Sequence, residues 1–426
     1  MLETRCAGAA ARRSRGTSPL VLGTGPAISR ESMPILFLIV FIDLVGFGLV
    51  IPLLPFYGER FGASPQQVTV LLAVFSLMQM LASPIWGRLS DRIGRRPVLM
   101  VSLAASVLSY LWLGLADALW MLFAARALSG ACAGNIAAAQ AYIADVTPPE
   151  KRARGMGMIG AAFGLGFIIG PAIGGIVAGN DLATADLRTP GFIAAGLSLV
   201  ALLGVLFVLK ESRTAAAVDT PRRGRIAVLV EALARPVLSR LLAIFFLVLL
   251  AFAGMEATFA LWAMRQFGWG PEQVGYVFTF VGVLSAVMQG GLIGPLTRRF
   301  GEERLMIAGL GLIGVGLLLL PFAHAVPPLG LAVAALALGM GAMQPTLNSL
   351  ISRRAGADEQ GSVLGVAQSV GSLSRVLGPL IAGSLFAGLG RNSPFLWGAV
   401  LVALSLAVAI RLPRPSPRPD PVSPPA

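Results

Sequence analysis

The stretch GRLSDRIGRR, residues 87–96, sets four arginines and one aspartate between two long apolar runs. The whole chain is basic, with a formal net charge of +13 over 426 residues. A nucleic-acid binder spreads such charge over a water-soluble surface. Here 56% of the residues are hydrophobic and only 12% charged, whereas a soluble domain carries about 25% charged residues. Apolar runs separate every basic cluster. Composition therefore excludes nucleic acid as the partner and points to a lipid bilayer.

A helix needs about 20 apolar residues to cross the hydrocarbon core. Reading from each charge cluster to the next gives twelve such runs. The first six are approximately 34–56, 67–87, 97–116, 118–145, 154–178 and 190–209. The second six are approximately 240–264, 272–296, 304–322, 325–351, 361–387 and 393–411. Continuous apolar runs are not the alternating pattern of a barrel strand, so the fold class is all-α integral membrane. With the N-terminus inside, 27 Lys and Arg residues fall in cytoplasmic tails and loops, against four outside: Arg60, Arg188, Arg265 and Arg391. Positive charge is retained on the cytoplasmic side, which puts both termini there and makes residues 87–96 a short inside loop between spans two and three.

The chain also repeats itself. GRLSDRIGRR is echoed by GPLTRRFGEER at 294–304, aligning Gly94 with Gly301, and GPAIGG at 170–175 by GPLIAG at 378–383. The two offsets nearly agree, so two pseudo-symmetric six-helix halves are expected, at 33–209 and 240–411, joined by a cytoplasmic linker at 210–239. Residues 1–32, basic and poor in acids, and the proline-rich residues 412–426 read as disordered tails. The first of these is either a targeting peptide or the product of a start placed upstream of Met33.

Twelve spans in two related halves, with a short basic loop after the second, resemble the major facilitator superfamily. The loop fits that family's motif G-x-L-[SA]-D-R-x-G-R-R at Gly87, Leu89, Ser90, Asp91, Arg92, Gly94, Arg95 and Arg96. Its glycines allow a tight turn, and Asp91 can pair with neighbouring arginines or cap a helix in the other half. The resemblance implies a conformational latch; topology-setting charge is the plainer reading. GAAFGLGFIIGPAIGG at 160–175 resembles the motif of the family's antiporters, with Gly160, Gly164, Gly170, Pro171, Gly174 and Gly175. Glycines four apart make a smooth face for close packing, and Pro171 frees a backbone carbonyl.

FIDLVGFGLVIPLLPFY at 41–57, LMQMLASPIWGRLSDRIGRRPVLM at 77–100 and AYIADVTPPEKRARGMG at 141–157 resemble the tetracycline exporters and related drug:proton antiporters. Those exporters carry a histidine in span eight and an aspartate in span nine; the corresponding stretches here have neither. The implied activity is proton-coupled efflux of an amphiphilic drug-like molecule, tetracycline-like compounds included, by alternating access. A sugar or metabolite carrier of the same superfamily is the alternative, and a transport-dead membrane sensor a remoter one.

A charge near the bilayer centre costs about 2.5–3.5 kcal/mol on insertion scales, so each needs an explanation. Asp43 lies about 14 Å into span one, where transporters bind cargo. Glu256 occupies the matching span of the second half, and both are candidates to carry a proton. A structural hydrogen bond is the alternative for each. Arg126 matches the family's fourth-span arginine linked to proton coupling; an arginine stays protonated, so it would act by tuning a carboxylate. Arg375 reads as half of a structural pair. Gln79, Gln140, Gln344 and Asn348 are expected to face the cavity.

His324, the single histidine, reads as a loop residue, and a His/Cys metal site is nearly excluded. GMGMIG at 155–160 and GLGLIG at 309–314 fit G-x-G-x-x-G but lack the preceding strand of a dinucleotide fold. No catalytic constellation and no cofactor is expected, and neither lysine follows a glycine as a phosphate-binding loop requires. The expected partners are a small molecule, protons and lipid, with the chain working as a monomer in the inner (plasma) membrane. A cysteine introduced at Arg223 in intact cells should resist an impermeant thiol reagent; labelling there would invert the topology.

Overall fold

A computed structural model of the protein describes residues 32–147, 152–181, 184–212, 225–355 and 359–412. It contains twelve helices long and apolar enough to cross a membrane. In the first half they are α1 Met33–Arg60, α2 Pro65–Ile93, α3 Arg95–Gly114, α4 Leu119–Val146, α5 Gly155–Ala178 and α6 Arg188–Phe207. The second half comprises α7 Pro236–Phe267, α8 Pro271–Phe300, α9 Glu302–Phe322, α10 Val326–Arg354, α11 Gln360–Leu389 and α12 Ser393–Ile410. Helices satisfy every backbone group within the segment, as a hydrocarbon solvent demands. The protein is a multi-pass membrane protein of the expected all-helical class.

The helices run further than hydropathy suggests. Residues 87–93 are not a loop but the last turns of α2, and Gly94 alone, at φ 105°, separates α2 from α3. The repeat at Gly301, φ 81°, separates α8 from α9 in the same way. Positive φ admits glycine without strain, which is why one residue suffices. Charge ended the sequence-based spans early, but arginines at a helix end reach water along their own stems. Within the expected linker, Arg225–Ala234 forms a short helix whose Glu231 binds Arg235 at 2.7 Å. Arg235 also reaches Glu359, next to the start of α11, at 2.8 Å. The expected tails fall outside the described residues except for Ser32 and Leu412.

Small residues set the packing. Along α5, Gly166, Gly170 and Gly174 face α1, and a Cβ at Gly170 would lie 2.7 Å from the backbone of Gly48 and Leu49. In the second half Gly309 of α9 and Gly339 of α10 face each other equally closely. Helices α3 and α6 pair in the first half, and α7 packs on α11 and α12 in the second. Gly160 and Gly164, expected to pack closely, instead border open space. They lie on a different face of α5 from the three glycines that meet α1.

The halves join along two seams, α5 with α8 and α2 with α11. Thr279 of α8 donates to the Ile168 carbonyl at 3.2 Å, in the turn that Pro171 loosens. The Glu272 amide donates to the Gly179 carbonyl at 3.2 Å, Gln66 of α2 reaches Ser384 of α11 at 3.3 Å, and Arg265 pairs with Glu59 at 3.8 Å. All of these contacts lie in the half of the bundle away from the basic turns at Gly94 and Gly301. Toward the arginine-rich end the halves diverge. Gly170→Leu should overpack the α1–α5 contact and cost about 1–3 kcal/mol, read as a lowered Tm of the purified protein.

Candidate functional site

Asp43 lies in the middle of α1 and is only 6% exposed. It does not face the gap between the halves, as the sequence reading expected. It turns into the first half, toward Leu99 and Leu103 of α3 and Ile136 of α4. The Asn135 side-chain amide of α4 donates to its carboxylate, and the Ser198 hydroxyl of α6 reaches the other oxygen at 3.4 Å. Asn135 is available because α4 breaks its helical pattern at Cys132–Gly134 and restarts there. Gly134 and Asn135 donate to the Ser102 hydroxyl at 2.9 and 3.0 Å, which ties the break to α3.

Arg126 of α4 is 3% exposed. Its guanidinium sits 4.3 Å from the centre of the Phe75 ring, and its buried Nε has no hydrogen-bond partner among the described residues. A cation over an aromatic face is stabilised by about 0.5–2 kcal/mol, less than a carboxylate would give. Phe47 packs on Phe75 with ring centres 5.5 Å apart, and Phe167 packs on Phe47 at 6.2 Å. Tyr110 of α3 is within electrostatic reach of both Asp43 and Arg126.

The second half carries the opposite arrangement. Glu256 of α7 is half-buried and Arg375 of α11 is partly open. They act on one another electrostatically, and Arg375 donates to Ser372 at 3.2 Å. The two attract one another from neighbouring helices without forming an ion pair within 4 Å. Of the expected cavity residues, Gln79, Gln344 and Asn348 are half-buried and Gln140 is exposed. His324 lies in the loop between α9 and α10, 2.9 Å from Gln266.

The basic turn forms a braced network. Arg95 bonds Asp91 at 2.7 Å and Asp145 of α4 at 2.9 Å. The carboxylate of Glu211, just beyond α6, accepts from the backbone amides of Arg95 and Arg96 at 2.9 and 3.0 Å and so caps α3. Arg96 donates to the Val205 carbonyl at 3.2 Å. The second half repeats one contact with its charges exchanged: Glu302 of α9 bonds Arg353 of α10 at 3.0 Å. Glu302 follows Gly301 as Arg95 follows Gly94, so the internal repeat keeps the helix-to-helix ion pair and reverses its polarity.

Comparison with known proteins decides the family. The model of the Major Facilitator Superfamily matches residues 36–379 and again 258–426. The chain belongs to that superfamily. It is 34% identical over 367 residues to the tetracycline resistance protein, class C, of Escherichia coli, covering 84% of this chain and 90% of that one. It is 30% identical to multidrug resistance protein 2 of Bacillus subtilis, covering 86% and 91%. Among solved structures, the human organic anion transporter MFSD10 superposes with a TM-score of 0.68 at 27% identity, covering 90% of this chain and all of that one. The protein is therefore a major facilitator transporter.

Several residues of this transporter were invisible to the sequence reading. Asn135, Ser198, Tyr110 and Phe75 lie on helices other than those of the groups they serve, and Glu211 lay in a segment read only as linker. A buried carboxyl that loses a hydrogen-bond partner costs about 1–3 kcal/mol. Asn135→Leu should lower the Tm of the purified protein by more than Asn135→Gln does, and Asp43→Asn should recover part of the loss.

Proposed function

We propose that the protein is a proton-coupled exporter of an amphiphilic, drug-like small molecule in the inner (plasma) membrane, with both termini cytoplasmic. The observation that carries the reading is end-to-end likeness to drug-resistance proteins in a chain that keeps carboxylates and arginines inside its spans. Burying a charge is costly, so such groups persist where they serve the transport cycle. The lack of the tetracycline exporters' histidine in α8 and aspartate in α9 favours a drug-like cargo over tetracycline as such.

In this reading the arginine-rich mouth faces the cytoplasm and admits cargo from there. Rocking of one half against the other closes that mouth and opens the far end. A proton arriving from outside neutralises Glu256 and weakens its attraction for Arg375, which ties protonation to the position of α11 against α7. Asp43 is the second carboxylate in line, and Tyr110 lies within electrostatic reach of both it and the permanent charge of Arg126. Gln79, Gln140, Gln344 and Asn348 supply hydrogen bonds to cargo, the Asp91–Arg95 network latches the loop, and one chain suffices.

The test reconstitutes Glu256→Gln, Asp43→Asn and the double variant, and measures tetracycline and ethidium uptake driven by a pH gradient separately from exchange at equal pH. Glu256→Gln should lower pH-driven accumulation at least tenfold while exchange persists. If the double variant still concentrates either compound in response to the gradient, these carboxylates are not the coupling groups. Proton flux in the same direction as cargo would replace export by a symporter of sugars or metabolites.

A further inference from the structure

The two halves differ at the corner where the chain leaves their last helix. In the first half that chain folds back and fills the corner. Leu209 is buried, and the Tyr142 hydroxyl of α4 donates to the Lys210 carbonyl at 2.9 Å. The Glu211 carboxylate sits on the first amides of α3, and the Ser212 hydroxyl donates to Asp145 at 3.2 Å. In the second half the same corner is a cavity of about 710 Å³. Its walls are the turn from Phe300 to Arg304, the last residues of α10, and the chain leaving α12 as far as Leu412.

The internal repeat indicates what belongs there. Aligned on Gly94 and Gly301, Asp91, Arg95 and Arg96 correspond to Arg298, Glu302 and Glu303. Asp145 corresponds to Arg353, its counterpart in the ion pair between helices. Helix α6 ends at Phe207 and α12 at Ile410, and each reaches a leucine two residues later, Leu209 and Leu412. Two residues further on stand Glu211 in the first half and Arg414 in the second. Five charges of the first corner thus recur with their sign exchanged, and Arg92 and Arg299 keep theirs. Coulomb attraction is unchanged when both partners change sign. The second corner is therefore built for a cation in the place where the first holds Glu211.

We propose that the cavity is the docking site of the chain's own segment after α12, with the Arg414 guanidinium bound to the Glu303 carboxylate. Residues 413–426 lie outside the described residues, but Leu412 already stands in the cavity wall with Glu303. Two further residues span at most about 7 Å, which places Arg414 within the cavity's reach. Glu302 is already held by Ser349 at 2.8 Å and Arg353 at 3.0 Å, whereas Glu303 meets Arg354 only at 3.9 Å. Glu303 is thus the carboxylate with capacity for a second arginine, whose planar fork matches it. Pro413 and Pro415 fix φ on either side of Arg414, which reduces the freedom lost on docking. The contact ties the end of α12 to the start of α9, as Glu211 ties the end of α6 to the start of α3. It requires neither a cargo nor a proton.

The test uses the full chain in phosphatidylcholine nanodiscs, with Cys6→Ser and Cys132→Ala as background. Ile307→Cys places a thiol on the cavity wall at a half-buried position, and its rate of modification by a water-soluble maleimide reports whether the cavity is filled. Arg414→Gln and Glu303→Gln should each raise that rate at least fivefold. The double variant should be no faster than either single one, because both remove the same contact. Arg418→Gln, four residues further along, should leave the rate unchanged. Arg414→Gln lies beyond the last helix, so it tests the contact without disturbing a span. Equal rates in the parent and Arg414→Gln, or an equal increase from Arg418→Gln, overturn the proposal. The cavity's own Arg304, Arg353 and Arg354 could also hold the phosphate of an anionic lipid, so the assay is repeated in phosphatidylglycerol nanodiscs. Protection that needs phosphatidylglycerol and survives Arg414→Gln assigns the cavity to lipid and likewise overturns the proposal.

Discussion

Helix α5 approaches two neighbours at backbone distance, and the architecture depends on that approach. Lipid tails are as apolar as leucine, so helices in a bilayer gain little from the hydrophobic effect when they associate. Close van der Waals contact has to supply the attraction, and it is greatest where no side chain intervenes. Gly166, Gly170 and Gly174 give α5 such a contact with α1, inside one half. Gly175 and the turn loosened by Pro171 give it another with α8, across the halves. One helix therefore belongs to a fixed unit and forms the seam that unit shares with its partner.

Polar groups are treated according to depth. Deep in the first half, Asp43 is held by Asn135 and Ser198, while Arg126 has an aromatic ring where a carboxylate is expected. In the second half Glu256 of α7 and Arg375 of α11 attract one another electrostatically. At the ends of the helices, where water reaches, charges pair directly, and there the duplication left an informative trace. Arg95 with Asp145 and Glu302 with Arg353 join equivalent helix ends with opposite polarity. Coulomb attraction is unchanged when both signs are exchanged, so the contact can persist while its residues do not.

The open end also places the functional groups in context. The exposed glycines, the basic turns and the half-buried Gln344 and Asn348 all lie toward it, whereas Asp43 is turned into the first half. A group near the gap has neighbours in both halves; a group inside a half meets only the helices of that half. Asp43 and Glu256 look equivalent along the chain but occupy different surroundings, and the difference arises from which helices stand opposite them.

The sequence by itself determined twelve helices, two related halves, the family, and the presence of charges that a membrane interior tolerates only with partners. These follow from length, hydropathy and local motif, because a hydrocarbon solvent leaves a chain few ways to satisfy its backbone. It could not determine which face of each helix is covered. The loop read at residues 87–96 proved to be the end of α2 with a single turning glycine, Gly160 and Gly164 proved open rather than packed, and Asp43 proved to face α3, α4 and α6. A membrane helix is apolar on every side, so its sequence marks no inner face. Only the packing of distant segments, Asn135 on Asp43, Phe75 on Arg126, Glu211 on α3 and α5 on α8, decides what each residue meets.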